Sequence, residues 1–431
     1  MRRPYLNTPA TLTSLLLGFA TSCAPKPPEP TAPPTAPSAS TPEAQTPPES
    51  GPFAKELAEV AKVRGLGAKH AVAGRRVSRE EMMREVDAEL EREVPPSVVT
   101  GLTAALVALR LAPSDFDYMS AVRSLMGEKL AGFYQPRTKT LFIAQDLPEN
   151  EQIATLHHEL VHALQDQHFD LGPRVAYREG AGDEQAALHA LAEGEAMHVM
   201  VDLMLAPYGK SALDLSEEQL AAMEADQTVD VDVPPVLVRS LVSPYFDGQR
   251  FVQALRRRGG WGAVTKAWSA PPMSSEQLLH IAKYDAKEPP IQVTAAPPPS
   301  AEYRREFRDV MGEQGLRAVL QEWHSAPVGA ALASGWGGDQ LAVYDSAGKR
   351  AVAWLIVMDT EAFAGRLEKG LVPGLVPSAA PAADGSRCEE SPRGPTALLR
   401  DGRRLVVAVL PDGSCTAARS WATAAVAAAP Q

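Results

Sequence analysis

The chain is poor in cysteine, histidine and aromatic residues, and it has no excess of basic charge. Its 431 residues include three cysteines, nine histidines and 6% aromatics, with a net charge of −11. That balance excludes nucleic acid as a partner, because phosphate binding needs a basic face. Removing residues 1–22, which carry Arg2 and Arg3 and no acids, makes the charge more negative still. No run of eighteen or more apolar residues is present, so no hydrophobic spanning helix is expected. There is no internal repeat at solenoid periods. The length allows two or three domains with real cores.

The N-terminus reads as an export signal over residues 1–22. Arg2 and Arg3 form a positive region and Leu12 to Ala20 a short apolar one. Ala20-Thr21-Ser22-Cys23 resembles a bacterial lipoprotein box, which implies acylation at Cys23 and an exported, membrane-anchored protein of the periplasm or cell surface. Residues 23–52 follow as a tether whose prolines alternate with Ala, Thr, Ser and Glu; such a segment cannot bury a core. In an exported chain the remaining cysteines, Cys388 and Cys415, suggest one disulfide.

The densest chemical signal is Thr155-Leu-His-His-Glu-Leu-Val-His162. It contains His158-Glu159-x-x-His162, a spacing that binds zinc when it lies on a helix. At roughly 100° per residue the two histidines fall about 40° apart, one turn from each other. Glu159 lies on the flank of that sector, placed to act as general base without being a ligand. Ile153, Leu156, Leu160 and Leu164 repeat at helical spacing on the opposite side, and Asn150 is the expected N-cap. His157 falls on the core side, so it and His168 read as structural. A purely structural zinc would want four closed ligands, often cysteines, and none lie nearby.

Along the chain, residues 53–130 read as mostly helical, with Ser78-x-x-Glu81 as a capping box opening a helix to about Val94. A second helix is expected from Ser97 to Leu111. Residues 131–146 read as a hairpin and residues 183–206 as a long apolar helix. Residues 236–284 read as helical with a break at Gly259-Gly260, and residues 285–300 as a Pro-rich connection. From about 335 a β-β-α-β-β-α order appears, with Asp401-Gly402 as a hairpin turn and an Ala-rich C-terminal helix. The expected fold class is α+β: a mostly helical domain with a small sheet over 53–330, then a small α+β domain over 331–431.

A catalytic zinc site needs a third protein ligand. Glu193 and Glu195 are candidates about 200° apart on one helix, so only one can face the metal; His189, one turn before Glu193, is a third. Helical spacing leaves the choice open. The series His158-Glu-Leu-Val-His-Ala-Leu-Gln-Asp-Gln-His168, Leu191-Ala-Glu-Gly-Glu-Ala196, Pro272-Met-Ser-Ser-Glu-Gln-Leu-Leu-His280 and Gly335-Trp-Gly-Gly-Asp339 resembles a family of exported bacterial gluzincin-like proteins. The resemblance covers roughly residues 130–360. It implies a zincin-like fold, Zn²⁺ held by His158, His162 and Glu193, and a peptidase acting within a protein or peptide chain, with Glu159 as general base. It also implies that the edge strand before the His158 helix pairs with substrate.

An oxyanion donor would come from a later segment, where His280, Tyr284 and Tyr245 are the candidates. Asp166 or Asp183 could orient an imidazole. The alternative is an envelope lipoprotein that keeps a zincin scaffold and binds a partner through its C-terminal domain.

Overall fold

The computed structural model describes residues 21–22, 51–227 and 229–428. The export signal expected over 1–22 (all but its last two residues), the acylation expected at Cys23 and nearly all of the expected tether lie outside the described residues.

Elements follow in chain order as β1 (Thr21–Ser22), α1 (Ala54–Arg64), β2 (Ala73–Val77), α2 (Arg79–Glu93), α3 (Pro96–Ala108), α4 (Tyr118–Lys129), β3 (Gly132–Gln135), β4 (Thr140–Ala144), α5 (Glu149–Phe169), α6 (Leu171–Val175), α7 (Gly182–Leu205), α8 (Glu217–Ala225) and α9 (Pro235–Ser269). Then come α10 (Ser275–Leu279), α11 (Ile281–Ala286), β5 (Arg304–Asp309), α12 (Gly312–Leu320), α13 (Ala326–Ala333), β6 (Trp336–Ser346), β7 (Lys349–Met358), α14 (Glu361–Leu375), β8 (Arg387–Glu389), β9 (Thr396–Asp401), β10 (Arg404–Val409) and α15 (Cys415–Ala428). The fold is α+β. A four-stranded sheet ordered β1-β3-β4-β2 accompanies the first helices, and a six-stranded antiparallel sheet ordered β5-β6-β7-β10-β9-β8 dominates the C-terminal part.

Local chemistry accounts for the elements. Ser78 caps α2 through the Glu81 amide, and the Glu81 side chain returns to the Ser78 amide, completing the capping box. The backbone turns out of helical geometry at Gly259 and Gly260 inside α9, where the sequence has its two glycines. The apolar run of β7 is buried on both faces. Val352, Trp354 and Ile356 meet α14 on one side, while Ala351, Ala353 and Leu355 meet α15 on the other. Cys388 and Cys415 form a disulfide that ties β8 to the start of α15.

The sheet begins earlier than the boundary expected at 330/331. Strand β5 pairs with β6 from Arg304 to Asp309 and forms its edge. Its sequence, Arg-Arg-Glu-Phe-Arg-Asp, hides it: only Phe307 is buried, and an edge strand tolerates charge elsewhere. Phe307 packs on Gly101 of α3, where a Cβ would fall 2.3 Å from a ring carbon. One apolar core runs from α2–α4 through α7 and α9 to α12, β6, β7 and α14, with no gap at the sequence boundary.

Three carboxylates fasten this junction, Asp183 and Asp339 buried and Asp309 half-buried. Asp309 accepts the Gly182 amide at the start of α7 (2.8 Å), and Asp183 accepts the Ser275 amide (2.9 Å). Asp339 accepts the Met311 and Gly312 amides and the indole N–H groups of Trp336 and Trp354. Burial pushes all three carboxyls up, Asp183 and Asp309 to about 7. A carboxyl raised in this way binds more protons folded than unfolded. Its stabilising contribution is fully present below about pH 4 and is lost as pH rises through about 7. Asp183→Asn removes one such titration. In denaturant melts with chelator, its stability relative to wild type should rise between pH 4.5 and 8, by on the order of 3 kcal/mol. A pH-independent difference would refute the assignment.

Candidate metal centre

Helix α5 is central to the molecule. Pro148, not Asn150, stands at its N-cap, and Glu149 and Glu151 place negative charge in the first turn, where the helix dipole favours it. Leu156, Leu160 and Leu164 are buried as their spacing implies, but Ile153 is 43% exposed, because the helix meets the core only from Ala154 onward. From Ala154 to Asp166 every residue is buried, including His158, Glu159 and His162. The two-faced helix expected from sequence is instead enclosed by protein.

Helix α7 crosses α9 at two glycines. A Cβ on Gly194 would fall 2.1 Å from the Gly248 carbonyl oxygen, and one on Gly248 would fall 1.8 Å from the Ala190 carbonyl oxygen. The two backbones are therefore in direct contact, which only glycine permits. The flanking glutamates diverge. Glu195 is engaged by the Arg64 guanidinium of α1 and the Trp268 indole N–H of α9. Glu193 points the other way, into the histidines.

There, Glu193 Oε2 lies 3.0 Å from His158 Nε2 and 3.5 Å from His162 Nε2. One donor atom from each of the three residues falls within 4.8 Å of the others, and all three residues are buried. Two imidazole nitrogens and a carboxylate oxygen are a donor set that zinc accepts. His162 Nδ1 is 2.8 Å from Gln165 Oε1, and the Gln165 amide donates to the Ala192 carbonyl (2.9 Å). That contact orients the ring with Nε2 toward Glu193. Several buried polar atoms complete no hydrogen bond among the described residues: His158 Nδ1, His162 Nε2, Glu193 Oε1 and both Glu159 oxygens. Buried polar atoms ordinarily find partners, so this cluster of orphans fits a cation and a polar ligand.

The electrostatics are strongly coupled. Burial alone would neutralise His162, but the Glu193 and Glu159 carboxylates outweigh it and push it up to about 9. Burial likewise opposes the Glu193 charge, yet His162 and His158 hold its carboxyl well below the usual range. Burial lowers His158 and takes His189, 3.6 Å from Glu193 Oε1, down to about 4. Glu159 is raised well above the ordinary glutamate value by burial, partly opposed by His162 and by the nearby Tyr134 amide.

Other sequence candidates are held elsewhere. His280 Nε2 contacts both oxygens of Glu313 at 2.9 Å, and the Tyr284 hydroxyl donates to the Ala270 carbonyl. Both belong to α10–α11, which lean on α12 and α9, and neither is joined to the histidines. The aromatic ring that does stand there is Tyr245 of α9, buried, with its centroid 6.2 Å from that of His158. Asp166 accepts the Tyr134 hydroxyl (2.9 Å) rather than orienting an imidazole, and Asp183 serves the junction. His157 faces Glu59 of α1 at 3.7 Å, and His168 Nε2 bonds the Gly67 carbonyl, both structural as expected. Gln165 was not singled out from sequence; its position three residues after His162 is the only signal for it.

Strand β3 lies on α5, so closely that a Cβ on Gly132 would fall 2.8 Å from Thr155 Cγ2. Its outer edge pairs antiparallel with Thr21–Ser22, matching Thr21 to Phe133 and Ser22 to Gly132.

A family model described as a domain of unknown function (DUF8575) matches residues 301–418, the span from just before β5 into α15. No curated protein and no solved structure matches the chain.

The divergence of the two glutamates is testable by stability alone. Glu195→Ala strands the Arg64 guanidinium in a dry site and should cost about 3–5 kcal/mol in denaturant melts. Gly194→Val should also destabilise, by at least about 1–3 kcal/mol, because the two backbones must separate. A neutral outcome for either would contradict the crossing described.

Proposed function

We propose that the chain is a zinc-dependent peptidase in which His158, His162 and Glu193 hold the metal and Glu159 is the general base. The observation that carries this reading is the buried convergence of the three donor atoms beside Glu159, a buried carboxylate on the helix that carries both histidines. When bound, zinc supplies Lewis acidity toward a carbonyl oxygen and toward water. The protein's own residues do the rest. Gln165 holds the His162 ring in position. Glu159, one residue from a ligand yet outside the ligand set, takes a proton from the attacking water at its carboxylate and returns it to the leaving amine nitrogen. Burial of this carboxylate favours its holding that proton between the two transfers. The outer edge of β3 suits an extended substrate backbone: Thr21–Ser22, which processing at Cys23 would remove, pair with it antiparallel. Export, acylation at Cys23 and tethering at the cell envelope belong to the same proposal and rest on the sequence of residues 1–52.

The decisive comparison is metal content and cleavage of a generic protein substrate for wild type, Glu159→Gln and Glu193→Ala. Wild type and Glu159→Gln should each hold about one zinc, with cleavage by Glu159→Gln at least about 100-fold slower. Glu193→Ala should lose zinc while remaining folded. Equal cleavage by wild type and Glu159→Gln, or absence of zinc from both, would overturn the reading; zinc binding without cleavage by wild type would favour a retained scaffold.

A further inference from the structure

We propose that a cavity at the junction between the helical part and the six-stranded sheet binds a small organic anion, an oxyanion such as a carboxylate or phosphate carried on an apolar body. The cavity measures about 530 Å³ and lies between the first turn of α7, the extended segment 290–295 and strands β5 and β6. That volume is in the range of small-molecule sites.

Its lining separates into an apolar wall and a set of unused donors. Met273, Ile291, Val293, Val310 and Trp336 supply the apolar surface. Arg305 and Arg308 enter from β5, the exposed edge of the sheet. The Arg305 side chain makes no hydrogen bond or ion pair among the described residues. Arg308 Nε is buried without a hydrogen bond, and its nearest carboxylate, Glu179, is 3.4 Å away. That pair is half-exposed, so an incoming anion can displace Glu179 at small cost. Among the described residues the main chain from Gln292 to Ala295 makes no backbone–backbone hydrogen bond, so its peptide groups add both donors and acceptors to the same wall.

The acidic residues of the cavity are each engaged by other donors. Asp339 is saturated by four N–H groups, Asp183 is turned to Ser275, and Glu184 is paired with Arg178. Arg305 and the half-exposed Arg308 are then the cations open to a ligand, and guanidinium groups match planar carboxylates and phosphates well. The site is separate from the proposed metal centre: Asp183 and Glu193 are ten residues apart on α7, about 15 Å along the helix.

Octanoate, octyl phosphate and neutral octanamide are suitable probes, with binding measured calorimetrically on the full chain. At least one of the two anions should bind at least tenfold more tightly than the amide, and their relative affinities identify the preferred oxyanion. The double substitution Arg305→Met/Arg308→Met should weaken the anion at least tenfold and leave the amide unchanged. Met273→Trp, at a side chain 39% exposed at the cavity, should block the anion by filling the space; it decides the matter should the arginine variant fail to fold. Glu159→Gln should bind the anion as wild type does, which keeps this result independent of the peptidase reading. No binding of either anion, equal binding of the amide, or binding indifferent to the substitutions would overturn the proposal.

Discussion

The contact on which the rest of the structure depends is the crossing of α7 and α9 at Gly194 and Gly248. Two helices whose backbones touch cannot rotate or slide without collision, so this crossing fixes the rotation of α7 about its axis. That rotation decides which glutamate faces α5. Glu195 falls between α1 and α9, where Arg64 and Trp268 neutralise and hydrogen-bond it, and Glu193 falls on the histidines. The same crossing brings Tyr245 of α9 beside His158. A single close approach therefore sets the third donor, its decoy and the aromatic neighbour together.

This bears on what was legible in the sequence. The His158, Glu159 and His162 arrangement is local: one helix at standard geometry fixes it, and period alone reads it correctly. The choice between Glu193 and Glu195 is not local. Both lie on apolar faces, and the difference is made by Arg64, more than a hundred residues away, and by Trp268. Resemblance singled out Glu193, and the partners of Glu195 supply the physical reason. Gln165 escaped notice because a glutamine three residues after a histidine is ordinary on a helix surface; only burial makes it an orienting group. Strand β5 escaped because an edge strand carries charge at positions where an interior strand would carry apolar side chains.

The motifs that the sequence singled out beyond the donor residues turn out to be largely architectural. In Pro272-Met-Ser-Ser-Glu-Gln-Leu-Leu-His280, the Ser275 amide binds Asp183 and its hydroxyl accepts the Gln314 amide, while Glu276 meets Lys283 and His280 meets Glu313. In Gly335-Trp-Gly-Gly-Asp339, Asp339 gathers α12 and two indoles. The two stretches come from either side of the expected domain boundary and close on the same junction. His280 and Tyr284 looked like chemistry because of their residue type and their place after the helix carrying Glu193. Their hydrogen bonds hold them elsewhere, His280 on Glu313 of α12 and Tyr284 on the Ala270 carbonyl at the end of α9.

Helix α7 thus carries two loads. Its middle presents Glu193, and its first turn is gripped by Asp309 and, through Asp183, by Ser275. Because Asp309 belongs to β5, the six-stranded sheet anchors the N-terminal end of the helix whose rotation the glycines fix further along. A helix held at one end and at its middle is constrained in both translation and rotation, the condition under which a buried donor set keeps its geometry. The C-terminal sheet is then not an appended module in the mechanical sense. It shares one core with the helices, lends Phe307 to Gly101 of α3 and Asp309 to α7, and leaves open beside these anchors a cavity edged by Arg305 and Arg308. A ligand there would touch the same first turn of α7 that leads to Glu193, so the anchoring of that helix and the occupancy of the cavity are parts of one piece of structure.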